Sequence, residues 1–205
     1  MSWRIFDELD ARYDSWYERN ALIYENELSA VEALGLNGIG AEIGVGTGRF
    51  AAPLGIPLGM DASERMLRSA LSRGVDAVRG MAEDLPLRSS SMDYVLFVVT
   101  LCFLEDPLAA LREARRVLRK DGTVAACIVP RDSSWGAYYT SRGGRFYSSA
   151  KFYTVDEISS MLRSVGLSPA RITSTLSRSP LDPPARELPG ADPRAGFVCI
   201  SSRVS

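Results

Sequence analysis

The 205-residue sequence contains no histidine. That absence removes a histidine general base, a histidine metal ligand and any Ser-His-Asp triad. Cysteine is scarce too. Cys102, Cys127 and Cys199 are far apart and form no C-x-x-C pair, so they read as buried strand thiols of a reducing compartment, and no metal site is expected. Long apolar runs are missing. The longest, residues 94–104, is too short to cross a bilayer as a helix and reads as a buried strand together with the residues just after it. Residues 1–10 carry charge and no apolar stretch of a secretory signal, so a cytoplasmic location without membrane contact is expected. Neither sign of charge is in excess: 24 Lys plus Arg stand against 25 Asp plus Glu, for a net charge of -1. That balance argues against a nucleic-acid partner.

What is present is ordinary for a soluble globular chain, with 46% apolar and 24% charged residues, and its length suits one domain with a substantial core. Trp3, Phe6, Leu9, Tyr13, Trp16 and Tyr17 recur at spacings of three and four, which predicts an aromatic helical stripe. A second helix over 23–34 turns Leu28, Val31 and Leu34 inward and ends at Gly35. Strands and helices then alternate. Strands are predicted over 39–43, 56–60, 75–78, 94–99 and 123–129, with the apolar fourth at the centre. Only a brief helix fits between Gly48 and Gly55. Ser63 caps a helix with Met66, Leu67, Ala70 and Leu71 on its apolar face, closed by Gly74. Asp106 and Pro107 open another, burying Leu108, Leu111, Ala114 and Leu118 and ending at Asp121 and Gly122. Residues 130–153 read as an irregular connection or lid. Thr154 to Glu157 form a capping box. Strands near 170–176 and 196–201 come last, separated by a proline-rich loop.

The chemistry is concentrated in Glu42, Gly44, Gly46 and Gly48, an E-x-G-x-G-x-G run between a strand and a turn, with Asp61 ending the next strand. Glycines let backbone approach a ligand closely. A carboxylate there can take the paired hydroxyls of a ribose. Together they point to a nucleoside-bearing cofactor in a doubly wound α/β sheet. A nicotinamide site needs G-x-G-x-x-G, and the position that rule requires is Arg49.

The run resembles the first motif of class I S-adenosylmethionine-dependent methyltransferases. Two further segments fit the same family: Leu85-Pro86-Leu87 with Met92-Asp93-Tyr94, and Arg116-Val117-Leu118-Arg119-Lys120-Asp121-Gly122. The likeness spans residues 38–200 and is greatest to the small-molecule branch (methyltransferase type 11 domain) that includes the ubiquinone and menaquinone biosynthesis enzymes. It implies a doubly wound, mostly parallel seven-stranded sheet with an antiparallel C-terminal hairpin, preceded by N-terminal helices. Residues 1–35 would be a helical cap, 38–129 the cofactor core, 130–153 a lid and 154–205 the C-terminal helix and hairpin. S-adenosylmethionine is the implied cofactor. Glu42 would orient the loop, the backbone of Gly44, Val45 and Gly46 would meet the methionine part with Gly48 in the same cofactor-binding loop, and Asp61 with Ala62 would meet the ribose. Two positions depart from the family. Where relatives carry an acid that reads adenine, this chain has Met81 and Ala82, leaving Glu83 or Asp84 as the acceptor. Where relatives often carry histidine, it has Thr100, Cys102 and Phe103.

Methyl transfer from a sulfonium asks the protein mainly to align and shield. An amine or thiolate acceptor needs no strong base, so the absence of histidine leans toward nitrogen or sulfur on a small-molecule substrate. Tyr13, Trp16, Tyr17, Phe103, Arg131 and Tyr138 are the candidate substrate residues, and Arg142, Arg145 and Lys151 are further cations of the same segment. The alternative is a non-catalytic module that binds the cofactor and acts through a partner. No catalytic residue and no oligomeric state is assigned.

Overall fold

The computed structural model describes residues 3–8 and 10–204. The aromatic stripe forms two helices, α1 (Trp3–Glu8) and α2 (Asp10–Arg19), and Leu9 lies outside the described residues. After α3 (Ala21–Glu32) come β1 (Gly40–Ile43), β2 (Leu58–Asp61), α4 (Glu64–Ser72), β3 (Asp76–Arg79) and β4 (Met92–Val98). A 3-10 turn, Leu101–Phe103, precedes α5 (Pro107–Val117) and β5 (Leu118–Ile128). The chain ends with α6 (Ser134–Arg142), α7 (Arg145–Ser149), α8 (Val155–Ser164), β6 (Leu167–Thr175) and β7 (Phe197–Val204).

The seven strands form one sheet in the order β3-β2-β1-β4-β5-β7-β6. The first five are parallel, and β7 pairs antiparallel with both β5 and β6. The fold class and the C-terminal hairpin are as the family likeness implied. Alternation along β4 sorts the core: Val95 and Phe97 face one side, Tyr94, Leu96 and Val98 the other. Helices α5 and α8 cover the first face through Leu111, Ala114, Ile158 and Leu162. Helices α2, α3, α4 and α6 cover the second through Tyr17, Val31, Ala70 and Trp135. Strand order reverses between β1 and β4, and in such sheets the crevice at the strands' carboxyl ends there is where ligands bind.

The family-like segments have local physical roles. The Arg116 guanidinium donates to the carbonyls of Leu85 and Leu87, while Glu113 accepts from the Leu85 N–H and pairs with Arg116 at 2.7 Å. Asp93 accepts from the Ile39 N–H and from Arg119. Both bonds hold the entrances of neighbouring strands in register.

Several expectations need correction. The 130–153 segment is largely helical, as α6 and α7, with Ser133 capping α6 by accepting from the Gly136 N–H. Helix α5 stops at Val117, and 118–122 already belong to β5. The ladder steps from Met92↔Leu118 to Tyr94↔Thr123, with Asp121 at φ +66°, so these residues loop out where helix was expected. No regular helix forms between Gly48 and Gly55, only turns. Leu71 is 54% exposed, off the buried face of Met66, Leu67 and Ala70. Cys127 and Cys199 are not free thiols: they face each other across β5 and β7 and are joined by a disulfide, while Cys102 is free and buried. Their separation of 72 residues hides the pairing until the strand order is known. No helix among the described residues is long and apolar enough to cross a membrane.

The capping box is complete: the Thr154 side chain accepts from the Glu157 N–H, and Glu157 accepts from the Thr154 N–H at 2.7 Å. Thr154→Ala is expected to cost about 1 kcal/mol in chemical denaturation, and Thr154→Ser almost nothing. Equal losses in both variants would show that packing of α8, not the cap, sets its stability.

Candidate functional site

The chain leaves β1 through Gly44 and β4 through Val99 and Thr100, side by side. Gly44 has φ +73°, and a Cβ there would lie 2.3 Å from Thr100 Cγ2, so only glycine fits. Val99, a β-branched residue, sits at φ +50°. Such backbone persists only where surroundings over-determine it, and here its N–H donates to the Cys127 carbonyl. At the end of β2, Asp61 accepts from the Gly46 N–H at 2.9 Å and the Ser63 N–H at 2.8 Å. Burial nevertheless raises its pKa above the ordinary aspartate value, against those bonds. Asp61 therefore both shapes the glycine loop and leads into the cap of α4.

These strand ends floor a cavity of about 590 Å³. Of the expected cofactor residues, Gly44, Asp61, Ala62, Met81, Ala82, Glu83 and Thr100 line it. Glu42, Val45, Gly46 and Gly48 do not. Val45 packs in the core against Gly59, and a Cβ on Gly48 would press on Ala70 at 3.2–3.3 Å, so that glycine serves helix packing. Glu42 is buried, with one carboxylate oxygen unpartnered among the described residues. Burial lifts its pKa well above the carboxylate range, against a bond from the Ala51 backbone. Glu83 also leaves a buried oxygen, Oε2, without a partner, on the wall beside Met81. An orphaned acceptor, a ribose-height carboxylate and a glycine cradle in one cavity fit an adenosyl cofactor.

The N-terminal helices roof the cavity. Asp14 on α2 accepts from Thr47 Oγ1 at 2.7 Å, Arg49 Nε at 2.9 Å and Arg73 at 2.5 Å. Burial opposes the Asp14 charge, but the bonds from Arg73, Arg49 and Thr47 outweigh it and hold the pKa below its ordinary value. Asp7 on α1 accepts from Ser63 Oγ at 2.8 Å. The cap is thus bonded to the loops after both β1 and β2. Arg49, which the glycine pattern registers only as a missing glycine, is half of that latch.

Tyr13, Trp16, Tyr17 and Phe103 line the cavity as expected. Tyr13 and Tyr17 share a hydroxyl–hydroxyl bond of 2.9 Å, and the nearest atom to a Cβ built on Gly46 is the Tyr13 hydroxyl. Arg131 and Tyr138 lie elsewhere. Arg131 pairs with Glu157 at 3.0 Å, and the Tyr138 hydroxyl accepts from Arg142. Arg142 does reach the wall, Lys151 sits over the Tyr153 ring, and the Arg145 side chain lies outside those described.

The sequence reading missed Tyr139 and Tyr147, stacked at 4.8 Å, and Glu27 of α3; all three line the cavity. Glu27 had a visible signal. It stands four residues from both Ile23 and Val31, on the stripe that α3 buries with Ala30 and Leu34.

Comparisons with known proteins agree with this geometry. A methyltransferase domain family model (Methyltransf_11) matches residues 41–126. A crystal structure from Thermotoga maritima, described as a SAM-dependent methyltransferase and possible histamine N-methyltransferase, is 38% identical, with a TM-score of 0.93 over 99% of this chain and 100% of that one. An uncharacterised protein of Methanocaldococcus jannaschii is 34% identical over 97% of this chain and 98% of its own length. A demethylmenaquinone methyltransferase of Roseiflexus is 30% identical over 80% of this chain and 69% of its length. None of these likenesses favours a non-catalytic module. The chain belongs to the S-adenosylmethionine-dependent methyltransferases, and it is an enzyme that uses S-adenosylmethionine as its cofactor.

Proposed function

We propose that the enzyme methylates a small-molecule acceptor on nitrogen or sulfur, in the cytoplasm, with all 205 residues serving one domain. The observation that carries this is the single cavity joining the strand-end cradle to the aromatic chamber under α2. A small acceptor fits there; a macromolecule would need the roof removed. Asp61 takes the ribose hydroxyls, with Ala62 beside it. Glu83 accepts from the adenine amino group while Met81 packs on the ring through its sulfur. The backbone around Gly44 and Thr100 faces the methionine part, and Glu42, with Gly46 and Gly48, keeps the loop in shape.

When bound, the cofactor supplies an electrophilic methyl carbon on a sulfonium. The chain's own part is to hold the acceptor in line and exclude water. Its buried phenols are poor proton acceptors at neutral pH, because burial carries Tyr13, Tyr17 and Tyr139 well above the ordinary tyrosine value. Burial likewise pushes the Cys102 thiol up to about 12. A hydroxyl or carbon acceptor finds no strong base among these groups, whereas an amine or thiolate brings its own lone pair. The histamine N-methyltransferase activity suggested for the 38% identical Thermotoga maritima protein supports nitrogen. The test is incubation with labelled S-adenosylmethionine and a panel of amines, thiols, phenols and carbon acids, with products resolved by mass. Product methylated only on oxygen or carbon overturns the reading.

Two variants test the roles. Asp61→Ala is expected to weaken S-adenosylhomocysteine binding about ten- to a hundredfold by calorimetry, from the loss of charge-assisted bonds. Unchanged affinity would leave Asp61 as a loop and helix cap only.

Asp14→Ala unties α2 from Thr47, Arg49 and Arg73. It is expected to cut turnover by about tenfold or more and to speed S-adenosylhomocysteine release, as a loosened lid does. Normal turnover with normal release would show that the latch does not hold the roof.

A further inference from the structure

Glu27 is 6% exposed and lies on the cavity wall. Among the described residues no hydrogen-bond donor or cation meets its carboxylate, and burial alone acts on it. Its charge is felt at four phenols, Tyr13 and Tyr17 of α2, Tyr24 of α3 and Tyr139 of α6. Of these, Tyr13, Tyr17 and Tyr139 line the same cavity. The two guanidiniums on the wall are engaged elsewhere, Arg19 with Ser15 and Arg142 with the Tyr138 hydroxyl. A buried carboxylate left without a partner is strongly disfavoured. Aromatic faces around it attract positive charge and give nothing to an anion. The missing partner is therefore cationic, and it has to come from what enters the cavity.

We infer that Glu27 is the anchor for a cationic amine acceptor, pairing with its ammonium inside a box made by Tyr13, Tyr17 and Tyr139. This rests on the nitrogen reading above and narrows it to ammonium-bearing molecules with an apolar body. Thiolates and carboxylates find no counter-charge in the same place, and are repelled once Glu27 ionises. The residue selects the acceptor and is distinct from the cofactor cradle around Asp61 and Glu83.

Protonation supplies an independent readout. Burial raises the pKa of Glu27 to about 8, so at pH 7 the empty site holds a protonated carboxyl. An ammonium favours the ionised form, and its binding must release close to one proton to the buffer. Ammonium affinity should then rise about tenfold per pH unit from 6 towards 8 and level off above. Burial carries the phenols of Tyr13, Tyr17 and Tyr139 far above this window. Asp61 is also raised by burial, and Glu42 is raised well above the ordinary range behind the wall, so the Glu27→Gln variant is needed to separate them.

The experiment uses the full chain saturated with S-adenosylhomocysteine. It is titrated with 2-phenylethylammonium, 2-phenylethanol and 3-phenylpropionate in two buffers of different ionisation enthalpy. The wild type is expected to prefer the ammonium at least about tenfold over the alcohol, to reject the carboxylate and to release one proton per ammonium bound. Glu27→Gln should keep its thermal unfolding and its S-adenosylhomocysteine affinity, yet lose both the ammonium preference and the proton release. Glu27→Asp should keep part of each. An ammonium preference that survives in Glu27→Gln, no preference in the wild type, or binding without proton release overturns the assignment. Methylation confined to oxygen, with Glu27-dependent ammonium binding intact, overturns only the acceptor-atom reading.

Discussion

One carboxylate, Asp14, holds the roof of this enzyme on its floor. It gathers Thr47, Arg49 and Arg73, which come from the glycine loop and from the end of α4. Isolated surface ion pairs contribute little, but Asp14 is only 23% exposed and takes three donors at once. Each added donor needs less ordering than the first, since the carboxylate is already fixed. The result couples two events that the fold could otherwise keep apart. Whatever orders the glycine loop also positions Tyr13, Trp16 and Tyr17 over the cavity.

Much of this architecture is readable from residues because it rests on local physics. Glycine spacing, the Ser63 and Asp106 caps and the Thr154–Glu157 box act within a few positions, and the structure has each of those bonds. The parallel strands arise from apolar runs, and the central place of β4 from the length of its run. What escaped was set by tertiary partners. Cys127 meets Cys199 only because β7 returns beside β5. Arg131 carries the charge a site residue could use, but it pairs with Glu157 and does not line the cavity. Helices α6 and α7 were hidden by glycine and serine, residues of poor helix propensity that packing of Trp135 and Tyr139 overrides. Of the site itself, the floor was visible as a motif and half the wall was not. Tyr139, Tyr147 and Glu27 belong to no motif, and cooperate only once α3 and α6 cover the same sheet face.

The wall's charge completes the chemical argument. Asp61, Glu83, Glu105 and Glu27 border one cavity together with Arg19 and Arg142, so acids outnumber guanidiniums on its wall, and Glu42 is buried as well. In a low-dielectric space such a set favours positive charge and penalises a second negative one. A sulfonium cofactor with its own ammonium suits that wall. In the reading proposed above, an amine acceptor would suit it before and after reaction: docked as an ammonium it would pass its proton to the Glu27 carboxylate, the freed lone pair would take the methyl, and the positive charge that leaves sulfur would reappear on nitrogen. A thiolate or phenolate would instead gain no counter-charge from a protonated Glu27 and would be repelled by an ionised one, and its charge would be extinguished in the transfer. Composition left nitrogen and sulfur open together, since neither needs histidine. On the inference drawn above, the position of one buried carboxylate, on the same helical stripe as Ile23 and Val31, is what would favour nitrogen over sulfur.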